Sequence, residues 1–339
     1  MLVLGQRHAK EALNVEECIE AVEAAFHTRG FALLARSAVA GVALEDGKLH
    51  AKLATLDRAR RYAVAKVNAN VPGNPAMRGL PAIQGILLLF DASTGIPLAA
   101  MDSGYLTALR TAAATAVAAK WLALPKSSSV AVVGCGVQAR AHVAALLKVR
   151  PLKRLHAFDA DRAAADSFCA DMESAYGIEC RVEPSAREAV RAAQIVVTLT
   201  PSRTPIISAA DVGLGTFVAA VGADSENKHE IGVDLLRSAV IVVDDLDQCA
   251  TIGDLHHAIQ AGALKLADVR ASLDQIVTGH LRGRVDDKEV IVFDSTGVAI
   301  EDAAAAAIVY EKAELNGMGV RVDMGGLPRP AQLNALSSS

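Results

Sequence analysis

The sequence predicts an α/β protein in which a parallel, doubly wound sheet follows a separate unit of α+β texture. Two observations carry this prediction. From residue 130 to about residue 293, short apolar runs alternate with helical segments, a pattern typical of a parallel sheet covered on both faces. Before residue 125, strand-like stretches follow one another with only turns or a short loop between them, which favours antiparallel pairing.

Composition sets the class of protein before any motif is considered. The chain has 339 residues, 52% of them hydrophobic, with a mean hydropathy of +0.30, so it can build the cores of about two domains. A net charge of −4 does not favour binding to nucleic acid or to an acidic membrane surface. The N-terminus lacks a signal-peptide layout, and no apolar run approaches the roughly 18 residues of a membrane span. We therefore expect a cytoplasmic protein that binds neither nucleic acid nor membrane.

The cysteines and histidines do not suggest a metal site. Five cysteines are scattered, odd in number and without C-x-x-C spacing: Cys18, Cys135, Cys169, Cys180 and Cys249. This pattern favours free thiols in a reducing compartment, and it indicates neither a zinc site nor a disulfide framework. His256 and His257 are adjacent in a helical segment, where neighbouring side chains diverge by about 100°. We expect no bound metal.

The first unit is predicted to combine helices with an antiparallel sheet. Apolar positions at helical spacing predict one amphipathic helix over residues 10–35. Strand-like runs follow over residues 37–67, and a further apolar strand covers 86–90. The alanine-rich stretch 106–124 predicts a long helix, which Pro125 and three serines close.

Six short, buried-looking runs are the predicted strands of the second unit: residues 130–133, 155–158, 195–199, 217–221, 240–243 and 290–293. Helical segments between them would cover both faces of the sheet. A last alanine-rich helix is predicted over 299–315, and we expect it to pack back on the first unit.

The first of these strands leads into V-G-C-G-V-Q-A, which has the G-x-G-x-x-A pattern of a dinucleotide-binding turn. Gly134 permits the tight turn, Gly136 lets the backbone approach a pyrophosphate, and Ala139 lets the helix pack closely on the strand. The amides at the start of that helix, at Val137 and Gln138, would then receive the phosphates. Such loops also occur by chance, but a strand before this loop and an acidic residue beyond it favour a Rossmann-type domain.

That acidic residue, Asp159, ends the next predicted strand, about 20 residues beyond the loop. A carboxylate there accepts hydrogen bonds from the ribose hydroxyls and repels a 2′-phosphate, which favours NAD over NADP. Arg162 nearby could partly relieve that repulsion, so the use of NADP stays open.

Five segments of the chain together resemble one protein family. They are K-V-N-A-N-V-P-G-N-P, Q-G-I-L-L-L-F-D-A-S-T-G-I-P-L-A-A-M-D, L-T-A-L-R-T-A-A-A-T-A, V-G-C-G-V-Q-A and V-G-A-D-S-E-N-K-H-E-I, in that order. The series resembles the ornithine cyclodeaminase/mu-crystallin family. The resemblance implies a Rossmann-type dinucleotide domain, residues 125–298, inserted in an α+β substrate-binding and dimerisation domain, residues 1–124 plus 299–339. It also implies a homodimer formed through the sheet of the substrate domain.

The resemblance suggests roles for four cations of the first unit. Lys66 matches the family's active-site lysine, which can hold a carboxylate or hydrogen-bond an imine; otherwise it is a solvated lysine on an edge strand. Arg110 is similar to the arginine that grips the substrate carboxylate through two parallel hydrogen bonds, the alternative being an internal salt bridge. Arg36 falls about where the family has another such arginine. Lys52 departs from the family's frequent methionine, and it would suit a substrate with extra negative charge unless it is a surface lysine.

Asp224 matches the aspartate that handles the proton of water or amine in cyclodeaminases and alanine dehydrogenases, where mu-crystallin has serine. The alternative is a helix N-cap for the residues that follow. Other small and polar residues fall where the family contacts ribose and nicotinamide, or they cap loops: Thr200, Ser202, Gly222 and Ser295 toward the cofactor, and Thr296 toward the substrate.

These features predict an NAD(P)-dependent oxidoreductase acting on the CH–NH or C=N group of a small amino or cyclic imino acid. Arg110 and Lys66 would hold the carboxylate, while Asp224 would manage the proton on nitrogen. We favour net reduction, as of Δ1-pyrroline-2-carboxylate to proline. Ornithine cyclodeamination with recycled NAD, alanine dehydrogenation and a mu-crystallin-like binding protein are the alternatives, because family members differ in function on one fold.

Overall fold

The computed structural model describes residues 1–31 and 37–324. The strands of these residues are, along the chain, β1 (Leu2–Leu4), β2 (Ser37–Leu44), β3 (Gly47–Asp57), β4 (Arg61–Asn70), β5 (Ile83–Asp91), β6 (Pro97–Asp102), β7 (Ser129–Val133), β8 (Arg154–Phe158), β9 (Glu179–Val182), β10 (Ile195–Thr198), β11 (Phe217–Ala220), β12 (Val240–Val243), β13 (Ala271–Ser272), β14 (Ile291–Asp294) and β15 (Val320–Arg321). The helices are α1 (Gln6–Ala12), α2 (Val15–Phe31), α3 (Asn74–Arg78), α4 (Ser103–Leu122), α5 (Val137–Val149), α6 (Arg162–Tyr176), α7 (Ala186–Arg191), α8 (Val233–Ser238), α9 (Leu246–Ile252), α10 (Asp254–Gln260), α11 (Leu273–Val277) and α12 (Ala299–Asn316).

The first sheet has the strand order β15-β1-β6-β5-β4-β3-β2. Strands β2 to β6 pair antiparallel, as predicted, whereas β1 lies parallel to β6. Strand β4 alternates strictly between buried and half-buried residues, so one face of the sheet packs on α12 while the other faces outward. Residues of β3 and β4 that face inward therefore lie against α12.

The predicted single helix over residues 10–35 is wrong, because the chain forms α1 and α2 with a break between them. Asn14 causes the second start. Its Oδ1 accepts the N–H of Glu17 at 2.9 Å, and Glu17 Oε2 accepts the N–H of Asn14 at 3.3 Å. This reciprocal pair is a capping box, which favours a new helix at Val15 over continuation of α1.

The second sheet is the predicted Rossmann-type, doubly wound parallel sheet, with strand order β13-β12-β14-β11-β10-β7-β8-β9. The six predicted strands are present to within a residue at each end, and the short edge strands β9 and β13 add to them. The strand order reverses between β7 and β10. In open α/β sheets the crevice at such a reversal, at the carboxyl ends of the strands, is where ligands bind.

Two alanine-rich helices connect the sheets. Helix α4 packs on α2 and α5, and α12 packs on α2, α4, β3 and β4, as predicted for the last helix. Their buried positions are mostly alanine, which lets helices and strands approach closely. None of the helices in the described ranges is both long enough and apolar enough to span a membrane.

The expectation of free thiols throughout is wrong for two cysteines. Cys169 in α6 and Cys180 in β9 form a disulfide, with their Cα atoms 5.4 Å apart. Helix α6 packs directly on the edge strand β9, so these two cysteines meet despite their unremarkable spacing. Cys18, Cys135 and Cys249 are buried free thiols.

Candidate active site

The glycine loop between β7 and α5 has the geometry that a pyrophosphate requires. Gly134 has φ of +97°, and a Cβ there would lie 2.8 Å from the carbonyl oxygen of Leu199, so only glycine fits. Gly136 precedes α5 without a side-chain cap, and a Cβ there would meet nothing within 4 Å. Ala139 is fully buried against the sheet. The first amides of α5, at Val137 and Gln138, thus lie at the open, positive end of the helix dipole. This arrangement fits a bound dinucleotide.

Asp159 lies beside this loop, at the end of β8. Its Oδ2 accepts the N–H of Cys135 at 2.7 Å, and its Oδ1 accepts the N–H of Asp161 at 2.9 Å. The carboxylate therefore stabilises the loop, at the position where the sequence predicts contact with a ribose. Arg162 is exposed, and its guanidinium pairs with Asp166 one turn along α6, so it does not neutralise Asp159.

The loops after β10 and β11 are held by a buried carboxylate that the sequence interpretation missed. Glu230 is fully buried, and it accepts the hydroxyl protons of Thr198 and Thr200 and the amides of Thr200 and Gly222, all at 2.6–2.8 Å. Ser202 joins this loop by donating its amide to the Thr200 hydroxyl at 3.2 Å. Burial raises the pKa of Glu230, against the effect of these donors. Three of the predicted cofactor-binding residues are thus fixed around one side chain.

Two further buried carboxylates extend this arrangement along the crevice. Asp254 Oδ1 accepts the amides of Glu230 and Ile231 at 2.7 and 2.9 Å. Asp294, the last residue of β14, accepts the amides of Asp254 and Leu255 at 3.3 and 2.9 Å. Burial raises the pKa values of both aspartates. Repulsion from Glu230 adds to the rise of the pKa of Asp254, to about 7, and repulsion from Asp254 adds to that of Asp294. Each carboxylate therefore fixes the backbone of the next loop along the edge of the sheet.

The segment that follows β14 is fixed by Asp244, the residue directly after β12. Asp244 accepts the amide of Gly297 at 2.6 Å and the hydroxyl protons of Ser295 and Thr296 at 3.2 Å each. Gly297 has φ of +74°, and a Cβ there would lie 2.5 Å from a guanidinium nitrogen of Arg110. Ser295 and Thr296 therefore lie in the short connection between β14 and α12, which packs closely against Arg110.

Lys66 and Arg110 meet over two carboxylates of α12. Lys66 lies 2.8 Å from Asp302, and Arg110 lies 2.8 Å from Asp302 and 2.6 Å from Glu301. All four side chains are buried. The alternative of a solvated lysine on an edge strand is wrong, since Lys66 is 1% exposed on an interior strand, whereas the salt bridge considered for Arg110 is present.

Burial sets the protonation of this cluster. It lowers the pKa of Lys66 to about 7, with a further contribution from Arg110. It raises the pKa of Glu301 to about 7, against the attraction of Arg110. For Arg110 burial works against the charge, but Asp302 and Glu301 raise its pKa above the ordinary value. Arg110 therefore stays charged, while burial brings the pKa values of Lys66 and Glu301 close to neutral pH.

Lys52 is the register partner of Lys66 on the neighbouring strand β3. It is buried, so the alternative of a surface lysine is wrong. Its Nζ donates to the carbonyl oxygens of Thr296 at 2.8 Å and Gly297 at 2.7 Å. Burial, and then the charge of Arg110, lowers its pKa.

Asp224 lies in the loop after β11, near enough to Lys52 and His50 of β3 for their charges to act on it. Its carboxylate pairs with Lys228 at 2.6 Å and is 40% exposed. Desolvation opposes its ionisation, but Lys228, Lys52 and His50 outweigh it and hold its pKa below the ordinary value. The N-cap alternative is wrong, because the residues after Asp224 form turns and not a helix. His50 stays neutral at pH 7, since burial and the two lysines lower its pKa to about 4.

The crevice thus brings together most of the predicted site residues. Arg36 lies outside the described residues. The functional-site residues that sequence reasoning missed are acids: Glu230, Asp244, Asp254, Asp294, Glu301 and Asp302. One signal could have revealed the last two, because an E-D pair inside an alanine-rich helix requires buried partners.

Comparison with known proteins gives a consistent result. The family model described as the ornithine cyclodeaminase/mu-crystallin family matches residues 1–317. The chain is similar to an archaeal alanine dehydrogenase dimer with bound NAD, at 37% identity and a TM-score of 0.91, covering 96% of this chain and 99% of that one. It is similar to the Δ1-pyrroline-2-carboxylate reductase of Thermococcus litoralis in complex with NADH and L-proline, at 31% identity and a TM-score of 0.89, covering 95% of this chain and 100% of that one. It is also similar to the iminosuccinate reductase of Paracoccus denitrificans in complex with NAD+, at 30% identity and a TM-score of 0.87, covering 95% of this chain and 99% of that one.

Proposed function

This chain belongs to the ornithine cyclodeaminase/mu-crystallin family, and we propose that it reduces the C=N bond of a small 2-imino acid such as Δ1-pyrroline-2-carboxylate. It is an NAD-dependent oxidoreductase that acts on the CH–NH or C=N group of a small amino or imino acid. One observation supports chemistry at a carbon–nitrogen bond in this site. Lys52 of the first sheet and Asp224, in the loop after β11 of the second sheet, are near enough for their charges to interact, at the carboxyl ends of the parallel strands.

In this proposal Arg110 and Lys66 hold the carboxylate of the substrate. Arg110 uses two of its five N–H donors on Glu301 and Asp302, so other donors stay free for a ligand. The acids of α12 fix the guanidinium in place, and a pre-positioned fork grips a carboxylate with little loss of entropy.

Asp224 acts on the nitrogen. An imine accepts hydride readily only when its nitrogen is protonated, and a carboxylate beside an iminium ion stabilises that cation. In the reverse direction the same carboxylate would accept a proton from the amine. The low pKa of Asp224 supports this role, because the group is ionised at neutral pH.

The dinucleotide would be held by the glycine loop residues Gly134 and Gly136, by the amides of α5, and by Asp159 at the ribose. When bound, its nicotinamide supplies the hydride. Glu230 would hold Thr200, Ser202 and Gly222 at the ribose and nicotinamide end. We propose NAD as the preferred form, since Arg162 pairs with Asp166 and leaves Asp159 free to repel a 2′-phosphate.

Absorbance of the reduced nicotinamide tests the reaction. Steady loss of NADH with Δ1-pyrroline-2-carboxylate is expected. A gain of NADH with alanine and NAD would instead identify an alanine dehydrogenase. Formation of proline and ammonia from ornithine without net absorbance change would identify a cyclodeaminase. If none of the three assays shows a reaction, the protein is a ligand-binding protein.

We also propose a homodimer formed through the outward face of the first sheet. This face of β3, β4 and β5 is apolar, with Leu53, Ala65 and Leu88 in one row of register partners. Leu53 is 43% exposed and Ile86 is 44% exposed. A similar protein of known structure is described as a dimer. A continuous exposed apolar face is typical of an interface between subunits.

Replacing Leu53 with Arg is therefore expected to convert the dimer into a monomer, because a guanidinium would be buried without a partner at the centre of the face. Sedimentation velocity at fixed protein concentration measures the change. Leu214→Arg is the matched control, since Leu214 is 78% exposed and lies outside the first sheet. A dimer that survives Leu53→Arg would place the interface elsewhere.

A further inference from the structure

Lys52 differs from the other buried cations of the crevice in its partners. Across the described residues, the buried lysine and arginine side chains are Lys52, Lys66 and Arg110. Lys66 and Arg110 contact the carboxylates of α12 at 2.6–2.8 Å. Lys52 forms no ion pair with any described residue, and its Nζ instead contacts two backbone carbonyls.

This arrangement leaves the charge of Lys52 poorly compensated. Lys52 and Lys66 are direct cross-strand partners, and like charges in that position repel each other. The two carbonyl oxygens occupy two of three N–H donors of the ammonium group, but they carry only partial charges. A neutral side chain with an amide group, such as glutamine, could donate to the same two carbonyls. Hydrogen bonding alone therefore does not require a cation at this position. A buried cation is costly without an anionic partner, so an anion that binds there would relieve this cost.

Among the described residues no carboxylate forms an ion pair with Lys52, although the charges of Asp224, Asp302 and Asp244 act on it from beyond contact distance. Asp224 is the facing carboxylate, and Lys228 holds it at 2.6 Å. Asp302 and Glu301 are engaged by Lys66 and Arg110. An anionic group brought by the substrate could therefore form an ion pair with Lys52 without displacing a carboxylate of the described residues.

We propose that Lys52 binds a second carboxylate of the substrate, so that the enzyme prefers 2-imino dicarboxylic acids over their monocarboxylic counterparts. The inference rests on the proposed function, in which Arg110 and Lys66 hold the carboxylate next to the reacting carbon. In the reaction one hydride from NADH adds to carbon 2 and one proton adds to nitrogen, which gives a 2-amino dicarboxylate. Lys52 takes no part in making or breaking bonds and acts on specificity alone.

Two imines that differ by one carboxylate test the proposal. Ammonia forms them in solution from oxaloacetate and from pyruvate, and assays without ammonia give the background. The parent enzyme is expected to favour the oxaloacetate-derived imine by about 100-fold in kcat/KM, since sites with buried charged groups reject analogues that leave them unpaired. Lys52→Met should abolish this preference, because KM rises far more for the dicarboxylate than for the monocarboxylate. An equal loss for both imines, or a parent enzyme without preference, would overturn the proposal.

Two further variants separate charge from packing. Lys52→Arg keeps the charge and should keep the preference for the dicarboxylate. Lys126→Met removes an exposed lysine remote from the crevice residues, and it should change neither kcat/KM. A loss of preference in Lys126→Met would mean that net charge, and not the position of Lys52, decides specificity.

A measurement without turnover keeps this inference distinct from the proposed reaction. In the presence of NADH, succinate should raise the Tm of the parent protein more than propionate does, and Lys52→Met should lose this difference. If no imine is reduced but this response is observed, the dicarboxylate site stands and the proposed reduction fails. Equal responses to both acids would refute the dicarboxylate site.

Discussion

Asp224→Asn is expected to lower kcat for imine reduction by about 10²–10⁴-fold, the usual contribution of a positioned acid–base group. Asparagine has the same shape but cannot carry the negative charge that stabilises an iminium ion. The change also leaves the ammonium group of Lys228 without its partner, so that a cation faces the substrate nitrogen. Steady-state kinetics at saturating NADH measure the loss.

Binding of NADH should be almost unaffected, because Asp224 is 40% exposed and its side-chain hydrogen bond is to Lys228. Fluorescence titration with NADH checks this expectation. Asp57→Asn is the matched control, since Asp57 also forms an exposed ion pair with a cation four positions along the chain, Arg61. If the kcat of Asp224→Asn equals that of the parent, Asp224 has no part in the chemistry.

The parallel sheet could be predicted from the sequence because its strands are buried on both faces. Runs such as V-A-V-V and I-V-V-T are short, β-branched and bounded by turn formers, so their positions are nearly unambiguous. Strands β1, β13 and β15 have two or three residues each, too few to show any periodicity. The break at Asn14 was available in the sequence as N-x-x-E, but the continuous apolar spacing on both sides obscured it.

The candidate site was only partly predictable, for a different reason. Local patterns and the family resemblance identify the cations and the glycine loop, but partners come from remote parts of the chain. Lys66 and Asp302 are 236 positions apart, and Lys52 contacts the carbonyl of Gly297 from 245 positions away. Such pairs depend on how α12 returns to the first sheet. Sequence spacing therefore showed which residues could be charged, but not which charges were compensated.

Arg110→Met is expected to have the largest effect on stability, a loss of about 3–5 kcal/mol in the free energy of unfolding, because it leaves buried carboxylates without their cation. Asp302 retains Lys66, but Glu301 loses its ion-pair partner among the described residues. Lys120→Met on the same helix is the control. Lys120 is 48% exposed in its ion pair with Glu23, and its loss should cost at most about 1 kcal/mol. Denaturant unfolding measures both variants.

The same substitution should lower kcat/KM for the imino acid by at least about 100-fold, since one buried partner of a charged ligand is lost. The double variant Arg110→Met/Glu301→Gln separates the two effects. Removing the unpaired acid should restore much of the stability, because a buried ion pair replaced on both sides is often nearly neutral. Catalysis should stay low, because the grip on the substrate carboxylate is still missing. Recovery of both stability and kcat/KM would show that Arg110 serves the fold alone, and the substrate carboxylate would then have to be held by other groups.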